Sequence, residues 1–176
     1  MKRVLIITAI FILSLFGADI QLPLKQYSAS GSVEDMTVYE EMLYSATDAS
    51  CVNVFDLKTS KRVSQIKVEK IKDFMGDIIH SKVYSVDVMK SRVVLLSQAS
   101  EGFRRVHMHT EGKNEELISE KDKLYIAKVR FMDENTLLLA LLGNQIISYD
   151  IKEKKENWKV SVSQSKFSDF MMNEER

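Results

Sequence analysis

The segment CVNVFDLKTSKR, residues 51–62, alternates apolar and polar side chains, reaches the triplet Phe55-Asp56-Leu57 and then runs through the polar residues Lys58 to Lys61. Alternation at period two that ends in a polar turn predicts a half-buried antiparallel strand. Much the same string returns at residues 145–155 as QIISYDIKEKK. A strand-and-turn unit that recurs implies a repeat.

Two further copies of the surrounding pattern are readable. Val33 to Tyr39 and Met42 to Thr47 flank a Glu40-Glu41 turn and lead into the segment at Cys51, and Val63 to Val68 makes a fourth strand. Residues 33–81 form the first unit, with Ile71 to Ser81 read as a plain connection. Residues 82–123 and 124–166 form the second and third, the last with a hairpin at Gly143-Asn144. Aligned in sequence, Phe55 falls over His107 and Tyr149, and Leu43 over Leu95 and Leu137, at offsets of 52 and 42 residues. Those offsets bracket the period of about 40–45 residues typical of four-stranded propeller blades, whereas helical repeats of that length need a 3.6-residue period. Phe170 to Glu175 repeats the pattern of Arg130 to Asn135, so residues 167–176 are expected to begin a fourth unit.

The expected fold is therefore all-β: a β-propeller of four-stranded antiparallel blades, about three and a half of them, forming the N-terminal part of a larger ring. Residues 19–32 are expected to give an edge strand for ring closure plus a loop, because Ile20, Leu22 and Leu24 alternate around Pro23 and proline confines a strand to an edge. Half a ring is expected to expose an apolar flank and unpaired edges, making the chain prone to aggregation or dependent on a partner.

Composition narrows the function classes. The chain has 176 residues, a formal net charge of zero, 28% charged and 45% hydrophobic residues, one proline and six glycines. That is ordinary globular material, with no electrostatic case for nucleic acid as a partner. The single cysteine, Cys51, excludes an internal disulfide and a cysteine-based zinc motif. At the N-terminus, Lys2 and Arg3 precede a predominantly apolar run of 13 residues, Val4 to Phe16, and then Gly17-Ala18. This is the layout of a secretory signal peptide over residues 1–18, too short for the roughly 20 residues that span a bilayer. Export to a bacterial periplasm is expected, with no stable membrane span after cleavage. An uncleaved signal anchoring the chain to the inner membrane is the alternative.

VNVFDLKTSKRV resembles the WD40-like pattern, with Phe55-Asp56 and Tyr149-Asp150 in place of the Trp-Asp pair that ends the third strand. The second unit carries Met108 where the Asp belongs, and no Gly-His pair is present. Asp150 followed by Trp158 is similar to the repeat of quinoprotein dehydrogenases and of the outer-membrane assembly propeller, although Lys154-Lys155 stands in place of its Thr-Gly. As a whole, the pattern is similar to periplasmic nitrate reductase accessory proteins of the NapL type. That resemblance implies a non-catalytic periplasmic scaffold for nitrate respiration, with reductase subunits as partners and no cofactor. A quinone-dependent dehydrogenase or an outer-membrane assembly scaffold is the alternative implied.

Among individual residues, His107 and His109 share a face of one strand and are the weak candidates for metal ligands. Their repeat equivalents serve packing, and no third ligand accompanies them. His80 reads as a solvated loop residue, Cys51 as a small buried filler, Trp158 as a wedge between blades, and most of the nine methionines as core. Asp56 and Asp150 are expected to satisfy backbone donors in the turn that follows each strand. Glu40-Glu41 and Lys152 to Glu156 read as solvated turn charges. No nucleophile triad, phosphate-binding glycine loop or supported carboxylate pair is present.

Overall fold

A computed structural model describes residues 23–162, 164–165 and 167–172. Residues 1–18, read as the signal, and 19–22, the start of the expected edge strand, lie outside the described residues. Hairpin follows hairpin along the chain. β1 (Val33–Tyr39), β2 (Met42–Thr47), β3 (Cys51–Asp56) and β4 (Arg62–Lys67) form a first four-stranded sheet in sequence order. After a small hairpin, β5 (Ile71–Lys72) and β6 (Ile78–Ile79), a second sheet comprises β7 (Val83–Met89), β8 (Arg92–Gln98), β9 (Arg104–Thr110) and β10 (Lys113–Ile118). The third comprises β11 (Ile126–Phe131), β12 (Thr136–Leu141), β13 (Gln145–Asp150) and β14 (Lys155–Ser161). Two 3-10 turns, Ser100–Gly102 and Glu120–Asp122, are the only helical elements among the described residues. The protein is all-β.

The repeat is visible in the irregularities of the ladders. The first strand of every sheet bulges at one place, at Val33/Asp35, Val83/Ser85 and Ile126/Lys128. Each bulge adds one residue to a strand and increases its local twist. Counted from that shared bulge, Ala46, Leu96 and Ala140 are equivalent, as are Val52, Val106 and Ile146. This register corrects the sequence alignment of the second unit by two residues. His109, not His107, stands at the place of Phe55 and Tyr149, and Thr110 rather than Met108 at the place of Asp56 and Asp150. The shift has a local cause. The second sheet closes its outer hairpin with only Glu111-Gly112, both at positive φ of 51° and 78°, where the first and third use longer turns.

Alternation then sorts the side chains between faces. One face of the first sheet packs on the second through Ala46, Val52, Ile66, Val86, Val88 and Leu95. The other face of the second packs on the third through Leu96, Val106, Ile118, Val129, Phe131 and Leu137. Full burial of such a side chain contributes about 1.5–3 kcal/mol. The first strands of the three sheets lie side by side, β1 against β7 and β7 against β11.

A buried ion pair crosses all three. Arg130 of β11 donates from Nη1 and Nη2 to the two carboxylate oxygens of Asp35 on β1, at 2.8 and 3.0 Å. Between them Ser85 Oγ of β7 donates to Asp35 at 3.0 Å and accepts from Arg130 at 2.7 Å. The Val86 amide also donates to Asp35, at 3.1 Å. Arg130 is 8% exposed, so the guanidinium is held almost entirely by protein acceptors.

The described segments before β1 and after β14 lie across sheet flanks. The expected edge strand around Ile20 and Leu22 lies mostly outside the described residues, and residues 23–32 contain no strand. They cross the outward face of the first sheet, where Tyr27 meets Phe55 edge-on at 5.5 Å and the Ser30 amide donates to Asn53 Oδ1 at 2.6 Å. Behind this strap lies Cys51, 2% exposed, with Gln65 Nε2 3.1 Å from its sulfur. Residues 167–172, the expected start of a fourth unit, also carry no strand. They lie beside the third sheet: the Phe167 amide donates to the Gly143 carbonyl, and Asp169 pairs with Lys128.

Two packing expectations are also corrected. Trp158, expected as a wedge, is 43% exposed on the outward face of the third sheet, where no neighbouring sheet stands. Met36, Met75, Met132 and Met171 are exposed, while Met89 and Met108 are core.

Arg130→Met strands the Asp35 carboxylate in a low-dielectric site, so a loss of about 3–5 kcal/mol is expected in urea unfolding. The double variant Asp35→Leu/Arg130→Met removes both charges and should recover most of that loss. The coupling is read from a double-mutant cycle.

Candidate functional site

The first hairpins of the three sheets open on the same end of the molecule. Their tips, through Glu40, Lys90 and Asp133-Glu134, border a cleft of about 490 Å³. Tyr39, Val88 and Met89 contribute apolar wall, and Val38, 57% exposed, forms a side open to solvent. Lys90 bonds to the Glu134 carboxylate and Arg92 to the Glu134 carbonyl, tying the second hairpin to the third. Glu40 and Asp133 are left to give the rim an acidic edge. All three repeats contribute: Glu40, Lys90, Asp133 and Glu134 from hairpin turns, and Thr37 to Tyr39, Val88 and Met89 from the ends of β1 and β7.

A second cleft, of about 690 Å³, lies under the β5–β6 hairpin and beside Ser100 to Gly102. The sequence reading missed this hairpin because its strands are two residues long and carry no usable alternation. Its local signal is Asp73-Phe74-Met75-Gly76-Asp77. Asp73 Oδ1 accepts the amides of Met75 and Asp77, both at 2.9 Å, and Gly76 supplies φ of 89°.

The histidine pair lies elsewhere. His107 and His109 lie on the face of β9 that turns toward the first sheet. His107 is 8% exposed and its Nε2 sits 2.9 Å from Ser97 Oγ. His109 Nδ1 lies 2.6 Å from Asn114 Oδ1, and Asn114 Nδ2 in turn donates to the Lys67 carbonyl of β4 at 2.7 Å. Both rings thus take part in polar contacts at the joint between the first and second sheets. No group of three His, Cys, Asp or Glu side chains converges as a metal site would require among the described residues. His80 Nδ1 reaches Ser50 Oγ at 3.1 Å, so it also ties the connection to the first sheet.

Asp56 and Asp150 stand at the turns. Asp56 Oδ1 accepts the Thr59 amide at 2.7 Å and the Thr59 hydroxyl at 3.0 Å, and these bonds hold its carboxyl below the usual range. Asp150 Oδ1 accepts the Glu153 amide at 2.7 Å. Both are turn braces between β3 and β4, and between β13 and β14.

No family model and no curated protein matches the chain. Among solved structures it is similar to the computationally designed Ika4 protein, with a TM-score of 0.55 and 17% identity, over 85% of this chain and 89% of that one. It is also similar to the computationally designed Ika8 protein, with a TM-score of 0.53 and 17% identity, over 81% of this chain. The match covers 42% of the Ika8 chain, so this chain spans less than half of that protein's length. At this identity the likeness is one of fold.

Burial, and then the nearby Arg105 charge, lowers the His107 pKa from 6.5 to about 4. The folded protein therefore binds fewer protons at this site than the unfolded chain between those values. The associated stability is complete above about pH 6.5 and is lost as pH falls toward about 4, by up to about 3 kcal/mol. Titration of the His107 ring by NMR should give a midpoint near the lower value, and His107→Gln should flatten the acid limb of the stability profile.

Proposed function

We propose that the protein is a non-catalytic propeller-type scaffold of the periplasm, an accessory of periplasmic nitrate reductase that holds a protein partner over the three-hairpin cleft. The observation that carries this reading is the convergence of one hairpin from each repeat on a single cleft. A surface built from repeated turns on ladder-held strands is pre-organised, and that reduces the ordering entropy lost on binding. The apolar wall of Tyr39, Val88 and Met89 supplies burial. The acidic edge at Glu40 and Asp133 selects a basic surface on the partner and steers its approach. The signal-like N-terminus supports the compartment, and the resemblance to NapL-type accessory proteins supports the reductase as the partner.

The test is retention of purified reductase subunits on the immobilised full chain, followed by titration calorimetry. Glu40→Lys/Asp133→Lys is expected to weaken binding by about tenfold or more and to reverse its salt dependence. Phe74→Ala, at the exposed tip of the β5–β6 hairpin, is expected to leave it unchanged. Reductase subunits that pass through unretained would refute the assignment.

A further inference from the structure

The chain makes one kind of sheet-to-sheet contact twice and carries both halves of a third. On the presenting side, Ile66 of the first sheet and Ile118 of the second are equivalent by register, and both are buried, at 5% and 2% exposure. The equivalent residue of the third sheet, Val160, is 46% exposed, and its neighbours on that face include Ile146, Trp158 and Val162. On the receiving side, Val86 and Val129 are equivalent and wholly buried, and so are Val88 and Phe131, at 5% and 0%. Their counterparts in the first sheet, Met36 and Val38, are 64% and 57% exposed.

We infer that a second copy of this chain covers these flanks, the third sheet of each copy seating on the first sheet of the other around a two-fold axis. The occupant is a second copy because each chain carries the complement of the apolar surface it leaves bare along β1, beside the strap of residues 23–32 that covers Asn53 and Phe55, in the pattern it already uses internally. Such head-to-tail contacts close when the rotation returns to its start. Closure has a consequence for the cleft. Val38 forms its open side, and a partner copy seated on Met36 and Val38 completes that wall. The inference does not rest on the reductase assignment, and its test contains no reductase.

Sedimentation equilibrium of the full chain is expected to show a dimer. Val160→Asp and Met36→Asp each bury an unpaired charge at both junctions and should each weaken association by about 100-fold or more, leaving circular dichroism and the melting temperature of the monomer unchanged. An equimolar mixture of the two variants regains one junction with no substitution and should form heterodimers. If Asp disturbs β14, Val160→Thr gives the same direction with a smaller effect. A wild-type chain that is monomeric throughout, a dimer insensitive to either variant, or a mixture that stays monomeric overturns the inference. So does a different protein seated on Val160.

Discussion

A carboxylate on the first strand of the first sheet and a guanidinium on the first strand of the third meet across the strand between them. The Asp35–Arg130 pair spans 95 residues of sequence, and its geometry holds only while β1, β7 and β11 lie in one order at one spacing. Apolar burial between the sheets supplies most of the stability but is tolerant of small slides. A bidentate pair with a serine hydroxyl between its partners is not. The shared bulges belong to the same arrangement. They place Asp35, Ser85 and Lys128 at equivalent positions, so the first two sheets each offer a polar group to the next first strand, Asp35 to Val86 and Ser85 to Val129, while Lys128 pairs with Asp169 of the segment after β14.

Much of the fold was legible because strand alternation and polar turns are local. Residues 33–67, 83–118 and 126–161 could be divided into strands from period two alone, with ends displaced by up to three residues, the most at the start of β14. The second unit was misaligned by two residues because its outer turn is shorter, and turn length leaves no mark on alternation: a slip of two keeps every side chain on the same face. The β5–β6 hairpin was missed because two-residue strands have no period.

The buried pair was not legible. Asp35 and Arg130 sit in strands where an isolated charge reads as solvated, and only the third dimension brings them together. One trace existed, a small serine at the equivalent position of the middle repeat, but small residues on strands are common. The histidines show the opposite lesson. Their shared face was read correctly, yet which surface that face meets depends on how sheets stack. Met36 was misassigned for a related reason: at a position filled by Val86 and Val129 in the other repeats, the first sheet has no neighbour, whereas Met75, Met132 and Met171 lie outside the strands. For the candidate cleft, the turns themselves were visible and their convergence was not.

The strap over the first sheet gives Cys51 a further property. Its sulfur lies beneath Ser30 and Gln65, so a thiol reagent reaches it only when residues 23–32 lift away. In the regime where the strap recloses faster than the reagent attacks, the alkylation rate equals the rate of a free thiol multiplied by the fraction of time the strap is open. The lone cysteine is thus a built-in clock for the detachment of the N-terminal segment, readable without any label added to the chain.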